Sequence, residues 1–354
     1  MSIPSGIIDN LRFLWLEIDA QLEALQGVVS DPKARAANRI LDRNGYALNL
    51  KLRIQHDCLA RLAASTLADS EATELRTIEF AANELDRIAE LCRDSVRRIN
   101  RIADYACFDH RSCWAMLNRV RRGVALIEPA LNEKDTRTVL KLGRIESKLD
   151  EDYDALTASY LATIKTGGGA EDVLRALFVA HYIEQMGDAL LDISEVILSR
   201  NLGQPLSLER YRSLQASVET LDNGAGTSDL QIEKVADTRS GSAVSRLETT
   251  NAKGDVVPMI FKAGVKRKLK EERQGVESWH EIYPGLAPKI LAFNKQGRSA
   301  SLLIEHLPGF RRIALHSLAS AVTSARRAPI SPSASDLWAR ASASRACVSP
   351  RAVS

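Results

Sequence analysis

Carboxylates set at four-residue steps are the side chains of this chain best placed to do chemistry. Glu184, Asp188 and Asp192 follow one another at that step, with Glu195 one turn further on. On a helix, residues four apart stand one above the other. Like charges stacked this way repel, so they call for a cation, for basic partner groups or for plain water. A second ladder, Glu146, Asp150 and Asp154, precedes the first at the same step. If the two ladder helices pack antiparallel, both line one groove. Clustered carboxylates accept hard or borderline cations such as Mg²⁺, Mn²⁺, Fe or Zn²⁺. The competing reading is a solvated acidic face.

The elements that position these residues are read from the apolar spacing. Ile183, Met186, Leu190, Ile193 and Ile197 alternate steps of three and four, the stripe of a helix laid into a bundle core. The pattern recurs earlier in the same register. Leu85, Ile88, Cys92 and Ile99 stand for Ile183, Met186, Leu190 and Ile197, and Asp86, Glu90 and Asp94 stand for the three acids. A duplicated unit is the best explanation, and the repetition also argues against a merely solvated face. Six long helices are expected, over 6–28, 33–66, 71–102, 112–130, 134–165 and 170–201. Ser30–Pro32, Asp109–Ser112, Asn132–Asp135 and Thr166–Gly169 break them. The fold class expected is mainly α, with tandem antiparallel three-helix units over 1–104 and 105–205.

Composition fits this. The 354 residues allow two or three domains, and 45% hydrophobic with 26% charged residues is a globular balance. A net charge of +3 does not point to nucleic acid. No apolar stretch approaches the ~18–20 residues of a membrane span, and the first residues lack the basic and apolar regions of a secretory signal. Cys58, Cys92, Cys107, Cys113 and Cys347 form no Cys-x-x-Cys pair, so incidental thiols in a reducing cytoplasm are expected. His56, His110 and His181 lack ligand spacing and read as surface or capped histidines. Arg119, Arg121 and Arg122 read as a solvated basic face.

The segment IEQMGDALLDISE resembles the signature helix of the PhoU family, and the tandem of three-helix units resembles that family's layout. The resemblance covers residues 1 to about 205 and is better in the second unit. It implies a cytoplasmic regulator of phosphate uptake or phosphate-responsive signalling that docks on a protein, a transporter or sensor component, with a homodimer also compatible. It further implies acidic motifs able to hold metal ions. Glu184 and Asp188 match the motif directly, and Asp86 and Glu90 match it with the two acids exchanged. In the first unit Asn44 and Leu48 stand where related sequences tend to have carboxylates. A metal site is therefore expected in the second unit only, on Glu184, Asp188 and Asp192 with Asp150 and Asp154.

Residues 206–230 read as a linker, after which the period changes. Ile232–Val235, Ala243–Thr249, Val256–Lys262, Lys289–Phe293 and Ser301–His306 read as strands, Asn251–Gly254 as a hairpin turn and Lys266–Trp279 as a helix. This order, over 231–310, resembles the small lobe of aminoglycoside-type phosphotransferases. The resemblance implies a phosphate loop at Gly241 and Ser242, Lys262 on the phosphates, Glu272 (or Glu271) paired with it, and a hinge at Glu305–Leu307, with ATP and Mg²⁺ as cofactors of a functional lobe. An ATP-dependent phosphotransferase is thus the rival reading. The His-x-Asp…Asn loop of that family's large lobe is not found after residue 310, so no competent kinase is expected from this chain. Residues 311–354 are dominated by Ala, Ser and Arg. They read as an out-of-frame stretch or a disordered basic arm, with no packed core expected.

Overall fold

A computed structural model describes residues 3–32, 36–43, 45–63, 67–133, 136–167, 169–203, 206–219, 231–237, 243–250, 256–282, 288–296 and 299–306. The chain divides into two compact units, one holding the helices up to Glu219 and the other the chain from Val235 onward. No helix among the described residues is long and apolar enough to cross a membrane. Asn44, Gly241, Ser242, Leu307, the turn expected at Asn251–Gly254 and the tail lie outside the described residues.

In the first unit α1 spans Ser5–Ser30, α2 Ala36–Asp42, α3 Tyr46–Leu62 and α4 Asp69–Ile99. After a short 3₁₀ turn at Tyr105–Cys107 come α5 (His110–Glu133), α6 (Thr136–Lys165), α7 (Ala170–Leu202) and α8 (Leu208–Glu219). The mainly helical expectation is met, with two local differences. The single helix expected over 33–66 is divided in two. Gly45 sits at φ 88°, a left-handed conformation that Gly adopts without a Cβ clash, and α3 starts there. The region expected to open the linker instead begins with α8. Leu208, Tyr211 and Leu214 repeat every three residues and are buried. The Leu208 N–H donates to Glu195 Oε1 at 2.9 Å, so the last acid of the ladder fastens the helix that follows it.

α4 and α7 are the central helices. α4 packs on α1, α3 and α7, while α7 packs on α4, α5 and α6. Leu75, Ile78, Leu85, Ile88, Cys92, Val96 and Ile99 of α4 are buried, as are Ile183, Met186, Leu190, Ile193 and Ile197 of α7. The two stripes read from the sequence are thus the core seams of the two repeats. Arg121 of α5, expected to be solvated, reaches Asp19 of α1 through two hydrogen bonds of 2.6 and 3.0 Å. Burial pushes the thiols of Cys92 and Cys113 up to about 12, which removes them from thiolate chemistry at neutral pH.

The second unit is a sheet with one helix. Strands β1 (Gln231–Asp237), β2 (Ala243–Thr250), β3 (Val256–Val265), β4 (Ile290–Gln296) and β5 (Ser299–Glu305) lie in the order β1-β2-β3-β5-β4. β3 is antiparallel to β2 and β5, and β4 to β5. α9 (Lys266–Ile282) packs on β3, β4 and β5, with Leu269 joining Ala300, Leu302 and Ile304 in the core beneath it.

Candidate functional site

The close approach of α7 to α6 beside the acidic ladders relies on one small residue. A Cβ added at Gly187 would lie 2.7 Å from Leu149 Cδ1 and 3.6 Å from Glu146 Cα. The absence of a side chain there lets the backbones approach, and Asp188 follows directly. Glu146, Asp150 and Asp188 each offer a carboxylate oxygen within 4.8 Å of the others, the one such group of three among the described residues. Two oxygens each bound ~2.4 Å from one ion can be at most ~4.8 Å apart, so the spacing fits a shared divalent cation.

The charges around this group oppose one another. Burial first, and then Asp150 and Asp188, push the Glu146 carboxyl above its ordinary range, although Ser147 acts against this. Burial also raises Asp150, helped by Asp154, while a hydrogen bond with Glu146 lowers it. Asp188 is raised by burial, Asp150 and Asp192, with Arg87 and His181 acting the other way. A cation bound among these carboxylates would stabilise their ionised forms and displace to solvent the protons that burial and mutual repulsion favour. The donor set is all oxygen at the three-residue core, which suits Mg²⁺, Mn²⁺ or Fe.

The remaining acids border the group. Burial and then Asp188 raise Glu184, and His181 opposes them with Nδ1 3.0 Å from Glu184 Oε2. His181 also packs against Tyr153 of α6, with ring centroids 5.7 Å apart. It was expected to be an ordinary surface or capped histidine. Its position three residues before Glu184, on the same helix face, was the available signal. Asp192 meets Arg87 of α4 at 3.5 Å, and Arg87 also meets Glu84 at 3.2 Å. Asp154 is exposed and acts on Asp150 only through its charge. Glu146, a ladder member not singled out as a ligand, is nearer the centre than Asp154 or Asp192.

The first repeat is built differently. Asp86 is 2% exposed, and Lys51 of α3 donates to its Oδ2 at 2.6 Å. Gln55, one turn on from Lys51, donates to Asn83 at 2.9 Å. Glu90 points to solvent and only approaches Arg93, at 3.8 Å. Asp86 and Glu90 are therefore not brought together with further carboxylates. The physical reason is that an ammonium group already neutralises Asp86.

In the second unit Lys262 is buried on β3 and forms an ion pair with Glu272 of α9. Glu271, the other acid considered, is exposed. Glu305 closes β5, accepting at Oε2 from the Lys289 N–H at 3.4 Å.

The helical unit with this geometry matches known proteins in fold. Residues 115–197, from α5 through most of α7, match the PhoU domain. The crystal structure of PhoU from Pseudomonas aeruginosa aligns with a TM-score of 0.54 at 15% identity, over 56% of this chain and 97% of that one. The phosphate transport system regulatory protein PhoU from Streptococcus pneumoniae aligns with a TM-score of 0.51 at 14% identity, over 57% and 96%. No curated protein matches the chain in sequence.

Proposed function

We propose that the helical unit is a PhoU-like cytoplasmic regulator of phosphate uptake or phosphate-responsive signalling, acting by docking on a protein partner. Support comes from the PhoU domain match over 115–197 and from the shared fold. The observation that carries the site reading is the convergence of Glu146, Asp150 and Asp188 where α6 meets α7. These three would hold a divalent cation, with Glu184 and Asp192 at its margins. The cation would neutralise the facing carboxylates and so brace α6 against α7. Elemental analysis of the intact chain tests this. Stoichiometric Mg, Mn, Fe or Zn is expected in the wild type and loss in Glu146→Gln/Asp188→Asn; a metal-free wild type after loading would refute the site.

A second reading concerns the sheet unit and rests on Lys262 and Glu272. A buried lysine on the third strand, paired with a glutamate of the following helix, is the pair that kinase-type lobes use to hold ATP phosphates. Equilibrium binding of a fluorescent ATP analogue to the intact chain tests it. Binding lost in Lys262→Met favours the reading, and no binding by the wild type ends it.

A further inference from the structure

α8 is held against the early turns of α6 much as α7 is held further along it. A Cβ added at Gly143 would overlap Leu208 Cδ2 and lie 3.4 Å from Ser194 Oγ, so the lack of a side chain there seats α8 against α6, beside α7. Two arginines are carried in by this packing. Arg144 follows Gly143 directly, and Arg212 stands one turn after Leu208 on the same face of α8. Glu146 of the acidic group is three residues past Gly143.

Neither arginine is neutralised within the chain. Arg87, Arg119, Arg121 and Arg175 each meet a carboxylate, whereas Arg144 and Arg212 pair with none among the described residues. Arg212 is partly buried, and its Nη2 is shielded from solvent with no acceptor among the described residues. Burial first, and then the Arg144 charge, hold Arg212 below the ordinary arginine range, while Glu146 acts the other way. The two guanidinium groups therefore lie within each other's field, beside Glu146. A buried donor without an acceptor and two like charges brought together both favour an anion at this place.

We infer that Arg144 and Arg212 form a binding site for a phosphate group, held by the two guanidinium groups on the α8 side of Glu146, Asp150 and Asp188. A guanidinium presents its N–H groups as a planar fork that matches carboxylate or phosphate oxygens, so one fork alone admits either. The surroundings favour phosphate. A carboxylate has two oxygens, which a single fork already occupies, whereas a phosphate has enough to reach both arginines and a cation as well. Small hard cations are commonly held by one or two carboxylates together with phosphate oxygens, and Glu146 is the carboxylate that the arginines and the acidic group share. Arg144 is exposed, so the site is open to the free ion and to a phosphate monoester. The arginine pair stands without the cation reading; only the affinity that a cation would add rests on it.

Titration calorimetry of the intact chain with inorganic phosphate, in chelator and in Mg²⁺, tests it, with Mg²⁺ binding measured separately on each variant. The wild type is expected to bind phosphate in both, more tightly in Mg²⁺ by roughly tenfold. Arg144→Gln, at an exposed position that spares the fold, should weaken binding by roughly tenfold. Arg212→Met should weaken it by roughly thirtyfold, the size expected for a lost charge-assisted hydrogen bond in a partly buried place. Arg144→Lys should recover only part, because an ammonium lacks the fork. Arg12→Gln, at an exposed arginine of α1, should change nothing. Phosphoserine in place of phosphate separates the sources: binding of phosphate alone assigns the free ion, and binding of both admits a monoester. A wild type that binds no phosphate, or binding indifferent to Arg144→Gln and Arg212→Met, would overturn the inference. Loss of the Mg²⁺ gain with the arginine dependence intact would instead refute the cation reading and leave the phosphate site standing.

Discussion

The two repeats share a fold register and differ in how they handle the same electrostatic problem. In the second, Glu184 faces the Asp150 charge across α6 and α7, and Glu146, Asp150, Glu184, Asp188 and Asp192 are held above their ordinary ionisation range. In the first, Asp86 stands at the counterpart of Glu184 but meets Lys51 at 2.6 Å. The small residue differs as well. Gly187 of α7 has Ala89 as its counterpart on α4, buried without needing Gly. One repeat pairs its buried acid with a lysine of the chain; the other gathers three carboxylates within reach of one another. Duplication thus preserved the core seams, while the polar face between the two ladder helices diverged.

The comparison is broken most readily at Lys51. Lys51→Ala leaves Asp86 buried without a counter-charge and is expected to cost about 3–5 kcal/mol in urea unfolding. Lys51→Met/Asp86→Leu should recover most of that loss, because a buried ion pair gives little net stability over apolar packing. If Lys51→Ala unfolds like the wild type, Asp86 has another counter-charge and the contrast between repeats fails.

Gly187→Val is next in size. The new side chain meets Leu149, and overpacking of this kind costs about 1–3 kcal/mol. It should also part α6 from α7 and weaken cation binding, measured by titration calorimetry. Ala89→Val at the counterpart position should disturb stability and leave cation binding unchanged.

Removing charge from the cluster has a smaller effect of opposite sign. In chelator, Glu146→Gln or Asp188→Asn relieves repulsion between partly exposed groups, worth up to about 1 kcal/mol. The thermal midpoint should rise slightly, while the further rise on adding Mn²⁺ should disappear.

The smallest expected effect is the dependence on pH. Glu146, Asp150, Glu184, Asp188 and Asp192 all hold their protons more tightly in the fold than ordinary carboxylates do. Their contribution to stability is therefore present at low pH and is lost as pH rises through the raised values. The chelated protein should melt higher near about pH 5 than near about pH 8, and Mn²⁺ should narrow the difference. A flat profile in chelator would show that the cluster is not strained.

Much of this architecture could be read from residue spacing. The core seams follow from steps of three and four, and the strands of the second unit from alternation and turn residues. What spacing could not supply was which residues face each other across two helices. Lys51 and Gln55 look like ordinary surface residues of α3 until α4 is placed beside them. Arg87 meets Asp192 only because α4 packs on α7, a long-range contact without local signature. The break at Gly45 has its signal in the Asn44-Gly45 pair, a turn dipeptide within an otherwise helical period. α8 carries little signal in sequence because its three-step apolar spacing is short and lies beside turn residues.

The central proposal is that the second repeat would take up a cation and the first would not. The most direct test is the stoichiometry of Mn²⁺ binding to the intact chain, measured by calorimetry in the wild type, in Asp150→Asn/Asp188→Asn and in Lys51→Met/Asp86→Leu. Binding should occur in the wild type, vanish in the first variant and persist unchanged in the second. Binding that survives the loss of Asp150 and Asp188, or vanishes with Lys51 and Asp86, would contradict it.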